Sequence, residues 1–150
     1  MLRDKINNGM KEAMKSGDKL RVSTLRLVNA AIKNAEIEAR TASKQFSDDD
    51  LLGLLQKMIK QRHESVELYD KGGRKELADQ ERSEIRIIQE FLPQQMSEAE
   101  AKAAIADVIK REGAAGMKDM GKVMAALKTA YAGRMDFAKA SALVKSLLSG

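Results

Sequence analysis

The run SDDDLLGLLQKMIKQRHESVELYDKGGRKELADQERSEIRIIQEFLP, residues 47–93, decides the fold. Ser47 ahead of Asp48, Asp49 and Asp50 reads as a helix start. Its hydroxyl can take a first-turn amide, and the three carboxylates complement the positive end of the helix dipole. Leu51, Leu55, Met58, Ile59, Val66 and Tyr69 then recur along one apolar face until Gly72-Gly73 stops the helix. A second helix is predicted over Lys75 to Leu92, and so short a connection makes it return antiparallel. Pro93, the only proline in the chain, forbids continuation.

Working outward, the same period holds on both sides. A helix is predicted from about Leu2 to Lys15, ended by Ser16-Gly17. Asp18 caps a long helix to about Arg40, with Leu20, Leu25, Val28, Ile32 and Ala35 inward and Arg26, Asn29, Lys33, Glu36 and Arg40 on the opposite face. Thr41 to Phe46 reads as a loop. Beyond Pro93, Ser97-Glu98-Ala99-Glu100 is a capping box for a helix ending at Gly113, followed by helices over about Lys118 to Tyr131 and Asp136 to Leu148. Strand signals are absent: there is no alternating β-branched run and no hairpin dipeptide between strands. The expectation is an all-α chain with a helical domain of about four helices over residues 1–93. A three-helix tail domain follows over 94–150, the boundary falling where long charged helices give way to short Ala-rich ones.

With 43% hydrophobic residues the chain can bury a core, but only 3% are aromatic, so aliphatic side chains and nine Met must fill it. The absence of Cys excludes thiolate chemistry and disulfides. No 18-residue apolar run exists to span a membrane, and the opening Met1 to Lys5 has nothing resembling an apolar signal stretch. These features predict a cytoplasmic protein, and well-capped helices in two small domains are compatible with a monomer. Charge is uneven: +5 over residues 1–46, −3 over 47–92, −1 over 93–112 and +4 from Gly113 onward.

Two groups of polar residues stand out. Glu81 shares a stripe with Leu77, Ile85, Ile88 and Leu92, while Arg62 and His63 interrupt the apolar stripe of the preceding helix. Counting outward from Gly72-Gly73 places Glu81 and Glu84 opposite Arg62. This is an interhelical ion pair that fixes register, or else a ligand-recognition site. One His with nearby Glu matches no established metal pattern, so neither metal nor cofactor is expected. In the tail, Lys118, Lys122, Lys128, Arg134 and Lys139 suggest a polyanion-binding surface. Gly121 beside Lys122 permits either close packing of another helix or close approach of a phosphate backbone. No catalytic residue is assigned, because the chain has no nucleophile–base arrangement and no Gly-Lys-Ser/Thr loop following a strand.

The order of several short segments resembles the YqeY proteins of the GatB/YqeY group over the whole length. They are Ser23-Thr24-Leu25-Arg26, Ala30-Ala31-Ile32-Lys33, Glu36-Ile37, Lys60-Gln61-Arg62, Tyr69, Gly73-Arg74, Leu77, Glu81, Glu84 and Phe91-Leu92-Pro93. The tail is similar to the C-terminal domain of GatB, a component of the glutamine-dependent tRNA amidotransferase, through Gly121-Lys122-Val123-Met124, Gly133-Arg134 with Asp136, and Leu143-Val144. That family's usual Asp-Gly after the second Gly-Arg is replaced here by Met135-Asp136-Phe137, which predicts a different approach to the last helix. In the amidotransferase that domain is thought to contact tRNA, while catalysis belongs to other parts.

The resemblance implies an RNA-contacting module with the catalytic parts absent, and the leading expectation is a non-catalytic tRNA-binding or tRNA-associated accessory protein whose tail, with the Arg26/Lys33/Arg40 face, meets phosphate. The alternative is a helical protein–protein adaptor. A third reading, an amidotransferase-type carbon–nitrogen ligase using glutamine as amido donor or a helper of one, rests on resemblance only.

Overall fold

Several of the helices begin where a short side chain takes up amides that have no partner inside the helix. A computed structural model describes Met1 to Ser149 and contains, among these residues, α-helices and one 3₁₀ turn but no strand. The Asp50 amide donates to Ser47 Oγ at 3.1 Å while the Ser47 amide donates to Asp50 Oδ2 at 2.9 Å. Ser97 and Glu100 repeat this reciprocal pair, and Asp18 Oδ1 accepts from the Arg21 amide at 3.1 Å. The helices are α1 (Leu2–Ser16), α2 (Lys19–Thr41), α3 (Asp48–Lys71), α4 (Lys75–Gln89), α5 (Glu98–Arg111), α6 (Met120–Tyr131) and α7 (Phe137–Ser149). The 3₁₀ turn is Met117–Asp119. The all-α expectation is met.

The chain divides into two compact units, 1–93 and 94–150. In the first, α1 with α2 and α3 with α4 form helical hairpins, and α2 also packs on α4. The α3–α4 turn uses Gly73 at φ 71°, a left-handed conformation that costs glycine nothing. Leu25, Val28, Ile32, Leu55 and Ile88 centre the core. Burying each such side chain stabilises by about 1.5–3 kcal/mol before chain entropy is set against it. Gly9 makes room for Phe91, since a Cβ there would lie 3.1 Å from Phe91 Cζ.

Helix α4 ends at Gln89, short of the predicted Leu92. The amides of Glu90, Phe91 and Leu92 bond to carbonyls three residues back, so the apolar spacing continues through a tightened turn. In the second unit α5, α6 and α7 enclose Ile105, Val108, Val123, Leu127, Met135 and Val144. Its connecting residues are held down locally: the Met96 amide donates to Arg134 O at 2.9 Å, and Arg134 Nε donates to Gln94 O at 3.1 Å.

Candidate nucleic-acid interface

Arg62 on α3 is brought against Glu81 and Glu84 on α4. Its Nε lies 3.3 Å from Glu84 Oε2 and 3.9 Å from Glu81 Oε2, and Nη1 donates to Met58 O at 3.2 Å. The buried Nε is at ion-pair distance without the alignment of a hydrogen bond. Side-chain exposure is 13% for Arg62, 9% for Glu84 and 22% for Glu81. Burial raises the Glu81 pKa above its ordinary value of 4.5, the hydrogen bond with Glu84 and that residue's charge raise it further, and Arg62 opposes. One guanidinium therefore serves two carboxylates inside a helical hairpin. His63 is exposed and turned away from them by about 100°. No group of three His, Cys, Asp or Glu suited to a metal ion occurs among the described residues.

The tail cations do not form one array. Lys122 Nζ donates to Glu112 O at 3.1 Å and lies 3.8 Å from that residue's carboxylate, so it closes the C-terminal end of α5. Arg134 is half-buried and spends its Nε on Gln94 O. Lys118, Lys128 and Lys139 are exposed, and no acid pairs with them among the described residues. Lys122 and Lys128, six residues apart, lie about 120° apart around α6. A Cβ built on Gly121 would meet nothing within 4 Å, so close helix packing at that glycine is not what the fold uses it for.

Met135-Asp136-Phe137 resolves simply. Gly133 takes the positive φ of 76°, and Asp136 caps α7 by accepting the amides of Ala138 at 3.0 Å and Lys139 at 3.3 Å. Phe137 is the first residue of α7 and is under no backbone strain. Between the first turns of α5 and α7 lies an open groove of about 350 Å³, with Ile105, Met135, Ala140 and Leu143 along its floor and Lys102 and Lys139 among its rim.

The sequence model of the family described as Yqey-like protein matches residues 3–148. The chain belongs to the YqeY-like protein family. Among curated relatives, this YqeY-like chain is 32% identical over 122 residues to "Altered inheritance of mitochondria protein 41, mitochondrial" of Vanderwaltozyma polyspora, covering 77% of this chain and 64% of that one. The protein of the same name in Lachancea thermotolerans is 37% identical over 106 residues, covering 69% and 56%. The match thus spans less than two thirds of these relatives' own length.

Their names overturn the cytoplasmic expectation, because the proteins that this chain matches are named mitochondrial. The physical reason is that membrane-span and secretion signals do not report on import into mitochondria. Cys content and the want of an apolar signal stretch do not bear on mitochondrial targeting, which uses amphipathic, Arg-rich segments. No helix among the described residues is long and apolar enough to cross a membrane.

Proposed function

We propose that this YqeY-like chain is a non-catalytic tRNA-associated accessory protein whose second unit meets RNA through Lys118, Lys128 and Lys139. The observation that carries the reading is the availability of these three cations: they are exposed and have no acid partner among the described residues. The tail's resemblance to the C-terminal domain of the amidotransferase component GatB supplies the substrate class. Lys122 and Arg134 are left out of this set because they are engaged within the fold, through their bonds to Glu112 O and Gln94 O.

Fluorescence anisotropy with labelled tRNA across a salt series tests it. Mitochondrial tRNA is offered beside total tRNA because the relatives are named for that organelle. Each phosphate contact contributes roughly 0.7–0.9 to the slope of log affinity against log salt, so K118A/K128A/K139A should flatten it by about 2. Unchanged affinity and slope in that variant defeats the reading. A protein recovered stoichiometrically after nuclease treatment, in place of RNA, would establish the adaptor alternative.

A further inference from the structure

Helix α2 carries a row of cations that the fold does not use. Lys19, Arg26, Lys33 and Arg40 recur every seven residues, so they line one side of the helix for about 32 Å with a drift of only about 20° per step. All four are exposed, and none has an ion-pair partner among the described residues. The acids of this helix are elsewhere. Glu36, which helical spacing alone sets beside Lys33 and Arg40, is drawn into an ion pair with Arg3 and is partly buried. Glu38 lies more than about 100° round from each of Arg26, Lys33 and Arg40. Between and beside the cations stand the short side chains Ser23, Ala30 and Asn34, with Ile37 the one large apolar group, between Lys33 and Arg40.

A solvated helix face ordinarily mixes signs, because acid–base pairs three or four residues apart support the helix. The outer face of α3 does this, with Lys57, Lys60, Glu64 and Glu67 interleaved. The α2 row forgoes such support. At about 10.5 Å, roughly one Debye length, its members repel each other little, so the arrangement costs the fold almost nothing while it projects a one-signed field. A ligand matched to it is long, regularly anionic and indifferent to apolar contact.

We infer that the outer face of α2 is a binding surface for a nucleic-acid phosphodiester backbone, RNA in the first instance, separate from the cations of the second unit. An anionic bilayer would fit the charge but would draw on apolar area. Here that is limited to Leu27 and Ile37, each about half exposed (50% and 51%). Single exposed side chains of this kind are ordinary on soluble surfaces.

The test uses the full chain and three probes: total tRNA, phosphatidylcholine vesicles containing phosphatidylserine, and poly-L-glutamate as an acidic-peptide mimic. K19A/R26A/K33A/R40A should flatten the tRNA salt slope by about 3 and weaken binding at low salt at least tenfold, with helical content unchanged by circular dichroism. The charge-preserving variant K19R/R26K/K33R/R40K should bind as the parent does. Unchanged tRNA affinity and slope in the alanine variant, or binding to vesicles or polyglutamate tighter than to tRNA, overturns the inference. The result separates from the reading of the second unit: K118A/K128A/K139A without effect and the α2 variant with a full effect would end that reading and leave this one standing.

Discussion

Replacing Arg62 by Met keeps the volume and the apolar stem but withdraws the only cation, among the described residues, within ion-pair reach of Glu81 and Glu84. Removing one partner of a fully buried pair costs about 3–5 kcal/mol, because the other charge is stranded. Here Glu81 retains 22% of its side-chain exposure and already sits closer to protonation than an ordinary carboxylate, so part of the strain is relieved by solvent and by proton uptake. The expected loss at neutral pH is about 2–3 kcal/mol, a fall in the urea midpoint on the order of 1 M.

Glu84→Gln in the Arg62→Met background should recover about 1–2 kcal/mol of that loss, since it removes the deeper of the two uncompensated charges while keeping its shape. The loss should also shrink as pH falls toward the ordinary carboxylate range, because Glu81, its pKa already raised, then takes up a proton in the folded state. Urea unfolding followed by far-ultraviolet circular dichroism measures all of this. If Arg62→Met unfolds within about 0.5 kcal/mol of the parent, or Glu84→Gln recovers nothing, the triad does not hold the hairpin in register.

Other expectations follow from the same geometry. The raised pKa of Glu81 makes the folded chain bind a proton more tightly than the unfolded one. Its contribution is therefore present below its ordinary 4.5 and lost as pH rises above it, and Glu81→Gln should flatten that fall in a pH series of urea midpoints. Glu100 has the opposite sign. The Ser97 amide first, then its hydroxyl, hold the carboxylate below 4.5, so its contribution is present above that value and fades as pH falls through the lowered one; Glu100→Gln should remove the fading. Gly53 lies inside α3 with open space where a Cβ would go, so Gly53→Ala should raise stability by about 0.5–1 kcal/mol in thermal or urea unfolding. Arg134→Ala should cost about 1 kcal/mol and speed hydrogen exchange at the Met96 amide, whose acceptor is Arg134 O, whether or not RNA binds.

What can be read from residues alone is whatever is decided within a few positions. Ser47 with Asp50 and Ser97 with Glu100 are closed loops of four residues, so their caps need no tertiary knowledge. The meeting of Arg62 with Glu84 can be counted because a turn of known length ties the two helices at one end. The end of α4 is overrun because Phe91 and Leu92 keep apolar spacing for packing after the α-helical bonds have stopped. The use of Gly121 depends on what stands opposite it, and nothing does. Lys122 and Arg134 bond to carbonyls 10 and 40 residues away, distances over which no local pattern carries information. Lys19 is easily missed because the first residue after a cap reads as part of the helix start, yet it begins the α2 row.

These last cases bear on how charge points to a partner. A sum of charges treats every cation as available and every acid as its neighbour's equal. From Gly113 onward the sum of +4 counts Lys122 and Arg134 at full value, although both are engaged within the fold. In the first unit the +5 of residues 1–46 is offset by the −3 of residues 47–92, which makes it look nearly neutral. The acids responsible lie mainly on α3 and α4, and several are spent on capping or on Arg62 and Arg82, while the four cations of the α2 row have no acid partner among the described residues. Electrostatic attraction to a polyanion is felt over about one Debye length, so the charge of a face outweighs the charge of a domain. By that standard alignment is what counts: the four available cations of α2 share one side of one helix, whereas Lys118, Lys128 and Lys139 lie on three different elements. The α2 variant is therefore the more demanding test of the proposed RNA binding.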